Sequence, residues 1–215
     1  LLISDELQST LNAPVIGSGS VIDVVGNTVS QSIVSIPSLA LGKTFFKDAV
    51  GMVYTKEKTD LLNCFKVDGL IGSTLLKHCI VQINLDKQFI ILTDKLGKLD
   101  VTNAFQSKLK LDVNSRPFIT IDLQDRGEVE ALFDSGSDKF LPLSLKGFNN
   151  LKPSESLKVL NTGMGSISSG LYGAGKPGIE NRIALGDIKW GGYQIQAITT
   201  TVSEHKNKIN AEISC

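Results

Sequence analysis

An excess of charge of either sign is absent: 22 Lys and Arg stand against 22 Asp and Glu, a formal balance of zero. A chain without a basic stripe has no electrostatic footprint for nucleic acid or an anionic membrane, and both partners are set aside. No apolar run reaches the roughly 18 residues of a membrane-spanning helix, and the first residues do not form a basic segment leading into an apolar one. Histidine is nearly missing too. His78 and His205 lie far apart, and no GxSxG, HExxH or Walker loop occurs, so His-dependent hydrolysis and metal chemistry find little support. Both histidines read as structural or surface residues, and neither a metal nor an organic cofactor is called for. Three cysteines, Cys64, Cys79 and Cys215, are too few and too scattered for a disulfide framework or a metal knuckle. A Cys64–Cys79 bridge and free thiols both fit that count. The one tryptophan, Trp190, precedes Gly191-Gly192 and reads as a packing residue.

What the chain has is apolar residues in short alternating runs. With 41% hydrophobic and 20% charged residues over 215 positions, it can bury a substantial core as one large domain or two small ones. Strands are expected at 20–25, 32–41, 80–85, 89–93, 118–123, 128–133, 183–185 and 193–202, with Gly26-Asn27, Asp86-Lys87 and Asp125-Arg126-Gly127 as turns between them. Helical signals are short. Ser4 is a cap before Asp5 and Glu6 for a helix reaching Leu11, and a second helix is expected over 73–78. The fold class is mainly β with short helices.

The chain also repeats itself. Leu39-Ala40-Leu41-Gly42 leads to an apolar strand at 49–53, and Ile183-Ala184-Leu185-Gly186 leads through Gly191-Gly192-Tyr193 to the strand from Ile195. A Gly- and Ser-rich segment precedes each copy, at 17–35 and at 157–175. Between the copies, 94–117 is the most polar and least periodic stretch. The organisation expected is therefore a lobe at 1–93, a connection at 94–117 and a second lobe at 118–215.

The second lobe opens with a hairpin, 118–123 and 128–133, that drives straight into Asp134-Ser135-Gly136-Ser137. An acid delivered there is either a turn former or a reagent. On the tripeptide alone an ordinary turn is the better reading, since Asp, Ser and Gly are common turn residues. A second element changes the balance: Val67-Asp68-Gly69-Leu70-Ile71-Gly72 runs a short apolar strand into a glycine step and a helix, followed by the hairpin-like 80–93.

Together, Leu132-Phe133-Asp134-Ser135-Gly136 and Leu70-Ile71-Gly72 resemble the two halves of the motif of the retropepsin-like and pepsin-like aspartic peptidases, most closely the bilobal bacterial aspartyl peptidases. The resemblance covers nearly the whole chain. It implies a two-lobed, internally duplicated acid-protease-like β-barrel fold and an aspartic endopeptidase acting on peptide or protein substrates. In that family a water is activated between two Asp carboxylates that share one proton. Asp134 would be one of them, with Ser135, Gly136 and Ser137 supporting the turn. Leu70, Ile71 and Gly72 would form the hydrophobic-hydrophobic-Gly step of lobe one. Gly163, Gly165, Gly170 and Tyr172 would belong to a flap-like segment closing over substrate.

The resemblance also sets expectations beyond this sequence. The first lobe has no Asp-Thr/Ser-Gly, so the second catalytic Asp is expected upstream of Leu1. The second lobe is expected to complete its own hydrophobic-hydrophobic-Gly step beyond Ile213-Ser214-Cys215. Export across the inner membrane is weakly favoured by the resemblance alone. A peptidase-like protein without activity, binding peptides or a partner protein, is the competing reading. Gly173-Ala174-Gly175-Lys176-Pro177-Gly178 formally matches a phosphate-loop pattern but leads into a strand-like run, so it is read as a loop.

Overall fold

The computed structural model describes residues 1–23, 26–56, 60–137, 139–152, 157–164, 169–174, 176–203 and 209–214. These residues are mainly β, with short helices. They divide into two compact units: Leu1–Asp23, Asn27–Thr102 and Leu171–Gly173 form unit 1, and Val24–Gly26, Asn103–Gly170 and Ala174–Cys215 form unit 2.

Unit 1 contains β1 (Leu2–Ser4), α1 (Asp5–Thr10), β2 (Val15–Ile22), β3 (Thr28–Leu41), β4 (Thr44–Tyr54), α2 (Asp60–Phe65), β5 (Gly69–Leu70), α3 (Ser73–Leu76), β6 (Ile80–Asn84) and β7 (Phe89–Thr93). The first five strands make one sheet in the order β2-β3-β4-β1-β5, and β6 and β7 pair separately. Alternation decides which side of β3 faces inward: Val34 and Ile36 are buried and Ser35 is less so, because successive side chains point to opposite faces. These residues pack with Ile3, Ala13, Phe46, Ala49 and Leu75 into one apolar cluster. Gly42, at φ 58°, takes the left-handed position that the tight turn between β3 and β4 needs.

The start of α1 follows from local chemistry. Ser4 sits in extended conformation and its Oγ accepts the Leu7 N–H at 3.0 Å, satisfying one of the N–H groups left open at a helix start. Acids at Asp5 and Glu6 complement the positive end of the helix.

Unit 2 contains β8 (Leu109–Leu111), β9 (Pro117–Asp122), β10 (Glu128–Phe133), β11 (Leu143–Ser144), α4 (Leu145–Asn149), β12 (Lys158–Met164), the short β13 (Ser169–Gly170), Ala174 of the two-residue β14 (Gly173–Ala174), β15 (Ile179–Trp190), β16 (Tyr193–Ser203) and β17 (Ala211–Ile213). Its main sheet runs β12-β15-β16-β11-β17-β10-β9-β8, with a further pairing of β15 with β9 at Lys189 and Asp122. The core is the inward face of these strands, including Ile121, Leu123, Ala131, Leu143, Leu185, Ile188 and Ile213, all fully buried.

The stretch expected as the connection between lobes, 94–117, contains short elements of its own. A 3-10 turn spans Leu96–Lys98, and β8 pairs with β9. Phe105 packs edge-on against Trp190 at 5.5 Å and stacks on Tyr193 at 5.7 Å, which gives Trp190 the packing role read from the sequence. A strand of three residues such as β8 is too short to show a period, so its apolar alternation was hidden among lysines. Helices α2 and α4 were not expected from the sequence, although α4 is capped by Ser144 as α1 is by Ser4. Gly173 and Ala174 form the short β14, Gly175 lies outside the described residues, and 176–178, without regular structure, lead into β15 rather than into a helix.

Candidate active site

β9 and β10 form the expected hairpin, with Glu128 opposite Asp122 and Leu132 opposite Phe118. β10 ends at Phe133, and the chain leaves the sheet at Asp134. What holds this exit is β17, which runs parallel to β10 on its other side, pairing Ala131 with Ala211 and Phe133 with Ile213. The same strand pairs antiparallel with β11 at Leu143 and Ala211. The strand before the Asp turn and the strand after it are thus both tied to one short central strand.

Hydrogen bonds fix the turn on that frame. The Asp134 N–H donates to the Ile213 carbonyl at 2.9 Å, and the Ser137 N–H donates to the Asp134 carbonyl at 3.2 Å. Asp134 Oδ1 accepts the Gly136 N–H at 2.8 Å, an Asx turn in which the side chain imitates the backbone. Ser214 Oγ donates to the Ser137 carbonyl at 2.8 Å, clamping the far side of the turn to the end of β17. A Cβ on Gly136 would stand 3.3 Å from Asp134 Oδ1, so a larger residue there would crowd the carboxylate.

Asp134 is half-buried, Ser135 and Gly136 are exposed and Ser137 is half-buried. Among the described residues Oδ2 of Asp134 accepts no hydrogen bond. The carboxylate is therefore a turn former through one oxygen and open through the other. Ser137 does not bond to the carboxylate; its Oγ donates to the Lys139 carbonyl at 3.3 Å and accepts the Lys139 N–H at 3.4 Å. Lys139 in turn pairs with Glu180 of β15 at 2.7 Å, with both side chains at most a third exposed. Nothing in the sequence pointed to this pair, since its two residues are distant and each alone reads as a solvated charge.

Leu70, Ile71, Gly72 and Tyr172 belong to unit 1, and Gly163 and Gly170 to unit 2 with the Asp134 turn. Leu70 and Gly69 form β5, and Gly69 pairs with Ile3 while Leu70 pairs with Leu2. Ile71 is exposed and Gly72 is the N-cap of α3. The glycine that permits close approach is Gly69, whose Cβ would lie 2.5 Å from the Leu2 carbonyl oxygen, whereas Gly72 has open space around it. In the flap-like segment, Gly163 lies in β12 and Gly170 in β13, while Gly165 lies outside the described residues. Tyr172 belongs to unit 1, where its N–H donates to Asp23 Oδ2 at 3.1 Å and its hydroxyl accepts from Gln31 Nε2. Burial, and then the Asp23 charge, push its phenol above the ordinary range.

Cys64 and Cys79 are free thiols, which resolves the bridge left open by their count, and Cys215 and His205 lie outside the described residues. His78 is exposed. Among the described residues no three His, Cys, Asp or Glu side chains gather as a metal site, and no helix is long and apolar enough to cross a membrane. Comparison with protein-family models and with curated proteins finds no match.

Proposed function

We propose that this chain belongs to an aspartic endopeptidase in which Asp134 is one of the two carboxylates that activate water. The observation that carries the reading is the double tie of the Asp134 turn to β17. A reactive carboxylate must be held to within a fraction of an ångström, and a turn bonded at Asp134 N–H and at the Ser137 carbonyl to one central strand is held that way.

A duplicated two-lobed architecture is supported by the match between the two units. In unit 1, β1 is parallel to β4 and antiparallel to β5; in unit 2, β11 is parallel to β16 and antiparallel to β17. β1 and β11 each end in a serine cap, Ser4 with φ −70° and ψ 156° and Ser144 with φ −72° and ψ 155°. The Ser4 N–H donates to the Asp68 carbonyl at 2.8 Å, and the Ser144 N–H to the Asn210 carbonyl at 2.9 Å. Aligned on these pairings, Leu70-Ile71-Gly72 corresponds to Glu212-Ile213-Ser214, which supports reading 212–214 as the closing step of the second lobe, with serine at the glycine place. The pairing of β15 with β9 brings the large sheet of unit 2 back on itself, as a barrel requires.

The reading needs a second carboxylate, and the same alignment supports a place for it. β17 has β10 along its outer edge, whereas β5 is the last strand of its sheet among the described residues. A strand from upstream of Leu1, added beside Leu70 and Ile71, would deliver its Asp as β10 delivers Asp134. In the reaction one carboxylate takes a proton from water as the water oxygen bonds to the scissile carbonyl carbon, and the other, protonated, gives its proton to the carbonyl oxygen. The resulting diol collapses by breaking the C–N bond as the amine nitrogen is protonated. Like charges in contact cannot both ionise readily, so the two groups titrate as a pair.

Binding of a peptide whose scissile amide is replaced by a tetrahedral hydroxyl tests this reading. The complete encoded protein should bind that peptide at least about a hundredfold more tightly than the amide parent. Equal affinity for both would instead favour a peptide-binding protein that has the fold without the chemistry.

A further inference from the structure

We propose that unit 1 carries a binding site for a small amphipathic anion, an apolar body with one carboxylate or sulfonate head, in the cavity between β4 and α3. The cavity has a volume of about 710 Å³, within the range of small-molecule sites. Among its lining residues Phe46, Ala49 and Leu75 are buried and Leu92 is half-buried, so part of the wall is apolar and fixed by the core of the unit. Phe45 and Val50 also line it and stay 71% and 54% exposed.

The rim supplies the charge. Lys43, Lys47, Lys77 and Lys98 line the cavity against two acids, Asp48 and Asp94, an excess of two positive charges. Asp94 reaches Lys98 only at 4.0 Å and with both side chains largely exposed, a contact too weak to neutralise that end. The chain as a whole carries no net charge, so this local excess is not a reflection of composition. Lysine ammonium groups are point charges on flexible stems that can converge on one anionic head, and apolar wall beneath them selects for a tail. A purely polar anion would leave the apolar wall wet, and a neutral apolar molecule would leave the lysine rim unused. The site does not depend on the peptidase reading.

The test uses anilinonaphthalene sulfonate and its uncharged parent, anilinonaphthalene, as fluorescent probes with the same ring system. The proposal expects the sulfonate to bind about tenfold more tightly than the parent at low salt, with that preference falling as salt is raised. Lys43→Gln with Lys47→Gln, both exposed and remote from the core, should abolish the preference while leaving the melting temperature unchanged. Amide NMR shifts on adding the sulfonate should centre on Phe46, Leu75 and Leu92. Equal affinity for the two probes, a preference that survives the double substitution, or shifts centred elsewhere would each overturn it.

Discussion

The main-chain N–H of Asp134 donates to the carbonyl oxygen of Ile213 at 2.9 Å, joining the candidate reactive turn to a strand 79 residues further along (213 − 134). One residue beyond, the Ser214 hydroxyl reaches the Ser137 carbonyl at 2.8 Å and bonds the other side of the same turn. Ser214→Ala removes that second tie without touching the first. We expect a loss of about 1 kcal/mol in the stability of unit 2, read from denaturant unfolding. If peptide cleavage is established for the parent, kcat should fall more than KM changes, because the loss loosens the turn rather than the substrate contacts.

Gly147, in α4, faces the strand that carries this arrangement. A Cβ on it would lie 2.1 Å from the Asn210 carbonyl oxygen, so Gly147→Ala must push α4 away from the residue that precedes β17. We expect destabilisation of about 2 kcal/mol or more. Gly72→Ala, by contrast, meets open space at φ −109° and should cost only about 0.5 kcal/mol, the difference between glycine and alanine as an N-cap. Thermal melts of the two variants beside the parent read the difference directly.

Those two glycines mark where sequence reasoning reached its limit. Ser4 with acids behind it predicted a capped helix because a cap is local chemistry, and the hairpin into Asp134 was legible because its alternation and turn lie within a few residues of each other. The glycine step at 70–72 was also visible, but not which glycine matters: Gly69 and Gly147 are set by backbone approaches from distant strands, which no local pattern records. The same holds for the Lys139–Glu180 pair and for β17, three residues whose role comes entirely from the two strands on either side.

Asp112 gives a prediction in pH. Burial pushes its carboxyl up, but the N–H and guanidinium of Arg116, at 2.8 Å each, and the Asn114 N–H outweigh this and hold it below the usual carboxylate range. A depressed pKa contributes stability that is present above the unfolded value and lost as pH falls through the folded one. Asp112→Asn should therefore lower the melting temperature at neutral pH. The gap to the parent should close as pH falls below the ordinary range of a carboxylate, and a gap constant with pH would contradict this.

The two described thiols should react at different rates. Cys64 is exposed, whereas burial raises the pKa of Cys79, whose Sγ donates to the Leu76 carbonyl at 3.4 Å. Thiolate is the nucleophile, so iodoacetamide at mildly alkaline pH should alkylate Cys64 well before Cys79. Peptide mass mapping over a time course checks the order.

The central claim is that Asp134 is a catalytic carboxylate, and the most direct measurement is cleavage of casein by the complete encoded protein from about pH 3 to 8, beside Asp134→Asn. The amide keeps the shape and, through its oxygen, the bond from the Gly136 N–H, but cannot exchange a proton with water. The account predicts cleavage by the parent and a loss of at least about a thousandfold in the variant with its melting temperature preserved. Equal cleavage by both, or no cleavage by a folded parent at any pH, would contradict it.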